Sequence, residues 1–273
     1  MTKIDLSNCT FLIPIRVESA DRMRNIITSI CYILRNFDTH IIVKEIDATS
    51  IFSNNVLPQI QEYFETDQLN LTHIFEKSDD KVFHRMRSIN EMIDYSNTDV
   101  VVNYDCDVLL PINSYVQSFN MISNSDSDVV YPYGEGTYQV KVYADDQIVS
   151  NFLNDDFDFN ILEKKSSMEI CDYGFCQFFK KSSYIEGGME NENFLAYGPE
   201  DKERFYRFTK LGFKVSRVLS KIYHLEHSRT FNSSSDNPNF KGNWNLWHNI
   251  QKMSEDELRY YYKNQNYLKK YTN

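Results

Sequence analysis

The stretch Asn97-Thr-Asp-Val-Val-Val-Asn-Tyr-Asp-Cys-Asp-Val-Leu-Leu-Pro111 decides how the rest of the chain is read. Val100, Val101 and Val102 are β-branched and apolar on both faces, which predicts a short strand buried on both sides of a sheet. That strand runs straight into Asp105-Cys106-Asp107, and Pro111 stops any regular continuation. Alternation along a strand sends Asp105 and Asp107 to one side and Cys106 to the other. Two carboxylates then converge at the carboxyl end of a buried strand, where open α/β sheets bind their ligands. Such a pair repels itself unless a cation lies between, so its natural occupant is a hard divalent metal together with a phosphate. An Asp-x-Asp triplet is also common at ordinary strand ends, so the flanking sequence has to decide.

Working back towards residue 1, Phe11–Arg16 reads as a first strand ending in a Pro-Arg turn. Ser19 or Asp21 can cap a helix whose apolar positions, Met23, Ile26, Ile27, Ile30, Ile33 and Leu34, recur at helical spacing. His40–Ile46 and Leu71–Phe75 read as strands, and Pro58–Phe64 as a short helix between them. Lys81–Tyr95 places Val82, Met86, Ile89, Met92 and Ile93 on one face and predicts a helix. Strands alternating with helices at this pitch predict an α/β fold with a doubly wound, mainly parallel sheet. No Gly-x-Gly-x-x-Gly follows the first strand, and the chain has only eight Gly, which disfavours a dinucleotide cofactor.

Beyond Pro111 the texture changes. Asp128–Tyr133 and Phe175–Phe179 read as strands, Gln139–Phe152 as a helix, and Asn154–Asn160 as an exposed loop. Pro199 is expected to start a helix through Lys210 that Gly212 closes. Phe213–Arg217 and Lys221–Glu226 are short strands, and the polar Asn232–Asn239 is a loop. Ser254-Glu255-Asp256-Glu257 is a capping box that opens a last helix rich in Tyr and Lys. Without repeats or a linker, residues 1–273 read as one domain: a nucleotide-binding half over 1–111, an acceptor and catalytic half over 112–250, and a C-terminal helix over 251–273.

Composition bounds the function. The 273 residues include 19 Tyr and 19 Phe, enough to bury a substantial core. The net charge of −10, without a basic stripe, argues against nucleic acid as a partner. Five Cys, at 9, 31, 106, 171 and 176, lack Cys-x-x-Cys spacing, so reduced thiols in a cytoplasmic setting fit better than zinc or a disulfide framework. The first residues lack a signal-peptide core and no apolar run is long enough to span a bilayer. The expected location is therefore cytoplasmic. The tyrosines and lysines of the last helix offer a peripheral contact with the inner face of a membrane, with packing against the fold as the plainer reading.

Three further segments bear on Asp105-Cys106-Asp107. Tyr197-Gly198-Pro199-Glu200-Asp201 places an acidic pair at a helix N-terminus, where the dipole favours negative charge, although first-turn acids are common there. Tyr223-His224-Leu225-Glu226-His227-Ser228-Arg229 brings two histidines that can share one metal only if the chain turns between them. Phe83-His84-Arg85 opens the helix before the Asp105 strand, where Arg85 can meet a phosphate and Phe83 can flank a base.

In this order and spacing the segments resemble the β-1,4-galactosyltransferase superfamily and its bacterial capsule-type relatives, the chondroitin-polymerase-like transferases. The resemblance covers most of the chain and implies a GT-A nucleotide-sugar fold, with a smaller acceptor-side β element beside the central sheet. Pro14-Ile15-Arg16 is similar to the family's Pro-Phe-Arg, which implies a place for Pro14 and Arg16 at the nucleotide. Phe83 to Asn90 is similar to its Phe-Asn-Arg-Ala-x-x-x-Asn, again a nucleotide-binding segment. Asp105-Cys106-Asp107 resembles Asp-Val-Asp, implying Asp107 as a metal ligand and Asp105 near the ribose or a metal-bound water. Tyr197 to Asp201 resembles Trp-Gly-Gly-Glu-Asp, implying Asp201 as catalytic base, Glu200 as the residue that orients the acceptor, and Tyr197 at the donor. His224 to Arg229 resembles Met-x-x-His-Ser-Arg, implying His224 and His227 as the remaining metal ligands.

The implied activity is an inverting, metal-dependent transfer of a hexose or N-acetylhexosamine, of Gal or GalNAc type, from a UDP-sugar. The implied acceptor is a hydroxyl of an oligosaccharide or lipid-linked glycan in surface polysaccharide synthesis. Mixed oxygen and imidazole ligation suits Mn2+ better than Mg2+, the second candidate. Arg85, with Arg16 or Arg229, adds positive charge around the nucleotide, and the Thr230–Asn239 loop is placed to close over a bound donor. The sequence departs from the family at Tyr173-Gly174-Phe175, where Phe175 takes the place of a Gly, and at Tyr197 and Pro199. Two alternatives remain on the same residues: a nucleotide-sugar hydrolase, which turns over donor without acceptor, and a non-catalytic UDP-sugar-binding subunit.

Overall fold

The computed structural model describes residues 2–168, 170 and 173–271; Cys171 lies outside the described residues. In chain order the strands are β1 (Ile4–Ile15), β2 (Phe37–Asp47), β3 (Leu71–Lys77), β4 (Val100–Tyr104), β5 (Val108–Leu109), β6 (Val129–Tyr131), β7 (Gln139–Val142), β8 (Ser166–Met168), β9 (Cys176–Lys180), β10 (Val215–Arg217) and β11 (Ile222–Leu225). Seven of them form a central sheet in the order β10-β6-β9-β4-β1-β2-β3. Every neighbouring pair is parallel except those made by β9, which runs antiparallel to β4 and β6. The other four form a second, smaller sheet, β5-β11-β7-β8. This is the mainly parallel α/β architecture with a smaller β element that the sequence predicts.

All five residues of β4 are buried, as its valines require of a strand between β1 and β9. The aromatic content fills the layer beside it: Phe11 meets Tyr104 edge-on at 5.5 Å and Phe178 at 6.1 Å. Buried tyrosine hydroxyls need partners, and these have them. Tyr32 donates to the Leu110 carbonyl at 2.7 Å, and Tyr104 and Tyr115 share a hydrogen bond at 2.8 Å. The helix Ala20–Asn36 buries Ile26, Ile30, Ile33 and Leu34, and its cap is Ser19, whose side chain accepts from the Arg22 amide.

Several local expectations differ from what is observed. The helix expected from Lys81 begins at Arg85, because Arg16 takes the Asp80 carbonyl at 2.8 Å and the Lys81 carbonyl at 3.0 Å and holds that stretch irregular. The helix expected over Gln139–Phe152 splits into β7 and a helix Asp146–Asn154 capped by Asp145. Tertiary pairing decides the first part, since Gln139 to Val142 align with Ile222 to Leu225 of β11. Pro199 caps the helix Glu200–Lys210 from outside rather than occupying its first turn. A helix over Phe240–Lys252, absent from the sequence reading, follows the polar loop.

The capping box forms as read: the Ser254 amide donates to Glu257 Oε2 at 2.7 Å and the Glu257 amide to Ser254 Oγ at 3.2 Å. The helix Glu255–Lys263 that it opens packs on the fold through Leu258 and Tyr262, while Tyr260 is exposed. Tyr262 donates to Glu203 Oε1 at 2.6 Å, and its ring lies 4.2 Å from the buried Arg207 guanidinium. Gly188, at φ +97, lets the backbone pass beneath that ring; a Cβ there would lie 2.4 Å from it. No described helix is long and apolar enough to cross a membrane.

Arg207 is fully buried and its charge is met by Glu203 at 2.9 Å. Removing one partner of such a pair leaves an uncompensated charge in the interior, at a cost of about 3–5 kcal/mol. Glu203→Ala should therefore lower unfolding free energy in urea by that amount. Lys165→Ala, which breaks the exposed 2.7 Å pair with Asp145, should change it by less than about 1 kcal/mol. Equal effects would contradict this account of the C-terminal packing.

Candidate functional site

A two-residue strand assembles the site. β4 ends at Tyr104, and Asp105-Cys106-Asp107 form a turn rather than a continuation of the strand. Cys106 packs against the hydrophobic core, while backbone and side chains of the whole triplet border one cavity. The chain then enters β5, whose Val108 pairs with His224 of β11 in antiparallel register. The Leu225 amide donates to the Asp107 carbonyl at 2.8 Å, completing the link.

β11 stops at Leu225, which supplies the turn that the two histidines need. The Asn25 side-chain amide donates to the Leu225 carbonyl at 2.7 Å. Asp21 Oδ2 accepts from the Ser228 amide at 2.6 Å and from Ser228 Oγ at 2.7 Å. His227 is thus brought back to the side of His224. His227 Nε2 lies 3.1 Å from Asp107 Oδ2, and His224 Nε2 lies 3.9 Å from it. The three side chains are buried, and one ligand atom from each falls within 4.8 Å of the others. Among the described residues no second cluster of this kind is present.

The polarity of His227 is informative. Its Nδ1 is 2.9 Å from the Ser228 carbonyl, which can only accept, so Nδ1 carries a proton. Nε2 therefore meets the Asp107 carboxylate either as a second N–H or as a lone pair. A lone pair facing a carboxylate requires a cation between them, and a backbone carbonyl holding the distal nitrogen is the usual support of a metal-ligating histidine. Burial alone would raise the Asp107 carboxyl, but the His227 hydrogen bond and the charges of His224, His227 and Arg22 hold it well below the usual carboxylate range. One carboxylate oxygen and two imidazole nitrogens, all buried, fit a divalent transition metal.

Every residue predicted for the site lines one cavity of about 540 Å3. Pro14, Arg16 and Phe83 form one end, with the Arg16 guanidinium 5.8 Å from the Phe83 ring. Three of the five N–H donors of Arg16 go to backbone carbonyls, including that of Ile46 at 2.9 Å, so this arginine braces the pocket wall. Arg85 forms an ion pair with Asp105. Burial and the nearby Asp107 and Asp201 charges outweigh Arg85 at Asp105 and raise its carboxyl above the ordinary range. Arg22, not singled out in the sequence, also lines the cavity; its Nε is buried without a hydrogen-bond partner, beside Asp107. Arg229 lines the cavity as well and pairs with Glu226 at 3.3 Å.

The same cavity is lined by Glu200, Asp201 and Tyr197. Asp201 Oδ1 accepts from Arg204 at 2.7 Å. Arg204 is itself buried, bonded through Nε to Glu190 at 2.8 Å and through Nη1 to Gln177 at 2.7 Å. Glu200 is only 8% exposed, and its Oε2 has no partner among the described residues. Burial first, then the Asp201 charge, pushes the Glu200 carboxyl well above the ordinary range despite Arg85 and Arg204. Phe175 occupies the left-handed region at φ +68, where the resembled family has a Gly. Its ring packs 5.4 Å from that of His224, and its carbonyl accepts from the Asp105 amide at 2.8 Å. The loop after His227 is pinned over the cavity. Asn232 accepts from the Phe83 amide at 2.8 Å and donates to Glu18 at 2.9 Å.

Sequence reading missed Arg22, Arg204 and the packing of Phe175. Arg204 has one legible signal, its i+3 spacing from Asp201 on a helix. A larger cavity, of about 800 Å3, opens between the helices Ala20–Asn36, Leu57–Phe64 and Asp146–Asn154, and none of the predicted residues lines it.

No family model matches the sequence, and no curated protein matches it. Solved structures do match in fold. Among them is the mannosyltransferase PcManGT from Pyrobaculum calidifontis, in complex with GDP-Man and Mn2+, at a TM-score of 0.51 and 14% identity. The likeness covers 89% of this chain and 61% of that one, so the chain spans less than two thirds of that protein's length. The central sheet with its single antiparallel strand, the second small sheet and this likeness together give the chain the GT-A fold.

Proposed function

We propose that the protein is a metal-dependent glycosyltransferase that moves a hexose or N-acetylhexosamine from a UDP-sugar to a glycan hydroxyl with inversion. The observation that carries the reading is the buried Asp107, His224 and His227 cluster sharing one cavity with Glu200 and Asp201. The fold neighbour was determined with a nucleotide-sugar and Mn2+, which supports the class of donor and of metal. The UDP donor, the galactosyltransferase-like subfamily and a role in surface polysaccharide synthesis rest on the motif resemblance.

Asp107, His224 and His227 would hold the metal, which when bound neutralises the diphosphate as it leaves. Arg22 is the cation beside that position whose buried Nε has no partner, so it suits the same diphosphate. Pro14 and Phe83 flank the base, with Arg16 holding their segments in place. The acceptor oxygen forms a bond to the anomeric carbon while the bond from that carbon to the phosphate oxygen breaks. Asp201, with Oδ1 fixed by Arg204, takes the acceptor proton. Glu200, whose carboxyl burial pushes up, would donate a hydrogen bond from its protonated form to an acceptor oxygen. Two adjacent carboxyl groups in unlike environments divide the acid and base roles. Asn232 and Ser233 to Ser235 line the cavity, where they would help to exclude water.

A panel of UDP- and GDP-sugars with Mn2+ tests the reading by release of nucleoside diphosphate. One UDP-sugar should be turned over, faster with a glycan acceptor than with water. Asp201→Asn should lower kcat by about a hundredfold or more with donor binding retained. Asp107→Ala should abolish metal-dependent donor binding. Turnover that ignores Mn2+ and both substitutions would sink the proposal.

Glu200 also predicts a pH signature. Its folded carboxyl binds a proton more tightly than its unfolded one, so its contribution to stability is full below the ordinary glutamate range and lost as pH rises through the raised value. Glu200→Gln should match the wild-type melting temperature near pH 4 and exceed it by a margin that grows towards pH 8. A margin independent of pH would show that the side chain is not held neutral.

A further inference from the structure

The helix Phe240–Lys252 has two unlike faces. Asn243, Trp247 and Ile250 are buried against the fold. Phe240, Trp244 and His248 recur four residues apart on another face, and their exposure increases along it, from partly buried Phe240 and Trp244 to exposed His248. These rings are in contact: Phe240 and Trp244 at 6.1 Å between centroids, Trp244 and His248 at 5.8 Å. The row continues to the cavity. Tyr197, which lines it and is 41% exposed, stacks on Phe240 at 5.9 Å with the planes within 10°.

The join between row and cavity is built rigidly. Asn243 is 3% exposed, and its side-chain amide donates to the Leu195 carbonyl at 2.9 Å and the Tyr197 carbonyl at 3.0 Å. Its oxygen accepts from the Leu195 amide at 3.2 Å. Gly198 is required beside it, since a Cβ there would lie 2.8 Å from Asn243. Ala196 is held in the left-handed region at φ +55. Lys202, the neighbour of Asp201, places its ammonium 5.6 Å from the Trp244 ring centroid. Among the described residues nothing accepts a hydrogen bond from the Trp244 indole N–H. A connected row of partly exposed rings marks a surface made for a ligand rather than scattered surface apolarity.

We infer that this row is a binding track for an extended glycan acceptor, with Tyr197 at the reacting residue and Phe240, Trp244 and His248 under the sugars behind it. The inference deepens the transferase reading and rests on it. The chemistry fits a chain of pyranoses: each ring has an apolar C–H face that settles on the electron-rich face of an aromatic ring, and hydroxyls at its edge that an indole or imidazole N–H can meet. Four residues of helix rise about 6 Å, close to the length of one sugar unit, so successive rings fall under successive sugars. An acceptor bound this way is a polysaccharide or oligosaccharide, and its affinity grows with length.

Glycan binding to the full chain, with UDP and Mn2+ present, tests the track. The probes are immobilised cello-, chito- and β-galacto-oligosaccharides, each displayed from monosaccharide to octasaccharide. Wild type should gain about tenfold or more in affinity between monosaccharide and tetrasaccharide on at least one backbone. Trp244→Ala and Phe240→Ala should remove that gain in protein that remains folded and binds monosaccharide as wild type does, while Asn245→Ala on the same helix should keep it. Absence of any bound glycan, binding independent of length, or a full gain in Trp244→Ala overturns the track and leaves the rings as helix-surface packing. Calorimetry of UDP and GDP with Mn2+ reports the transferase reading separately. Nucleotide binding without length dependence removes the track alone, and no nucleotide binding removes the transferase reading.

Discussion

The antiparallel pairing of Val108 with His224, with the Leu225 amide on the Asp107 carbonyl, is the contact on which the site depends. It joins the end of the central sheet to the second sheet with one residue pair on either side of a turn. Through it the Asp107 carboxylate, in the turn after β4, meets a histidine from near the far end of the chain. Everything else in the ligand cluster follows from where β11 stops. Because the strand ends at Leu225 and Asp21 captures Ser228, the second histidine turns back to the same side. A longer β11 would have placed His224 and His227 on opposite faces.

Charge is handled in the same economical way. The chain carries a net charge of −10, yet Arg16, Arg22, Arg85 and Arg229 stand among the carboxylates that line its cavity. The arginines around that cavity have separate duties. Arg16 braces the loop through backbone carbonyls, Arg85 neutralises Asp105, and Arg204 links Asp201 to Glu190 in the interior. Arg22 stands with its Nε unpartnered beside Asp107. The acidic side shows the same division, with the Asp107 carboxyl pulled down by two histidines and the Glu200 carboxyl pushed up by burial. Local environment, not overall charge, sets what this site can bind.

Much of this was legible in residue order, and the failures have physical causes. The Val100 strand, the Ser19-capped helix and the Ser254 capping box are local features, and each formed where its chemistry required. Gln139 to Val142 read as helix because its pairing partner lies some eighty residues on, beyond the reach of periodicity. Phe240–Lys252 escaped notice because it has no side-chain cap and mixes asparagines with rings on an outer face. The eleven predicted site residues nevertheless line one cavity, because motif order in this fold follows the carboxyl ends of successive elements. Arg22 and Arg204 belong to that site through three-dimensional proximity that no local pattern encodes.

The central claim is that Asp107, His224 and His227 form one metal centre beside a nucleotide. Pulsed electron paramagnetic resonance of the protein with Mn2+ and UDP tests it most directly, since imidazole nitrogen bound to Mn2+ gives a resolvable nuclear modulation. Wild type should show nitrogen coupling from the two histidines, His227→Ala should show it reduced, and the His224→Ala, His227→Ala double variant should lack it. A Mn2+–UDP complex whose spectrum carries no nitrogen coupling in the wild-type protein would contradict the account.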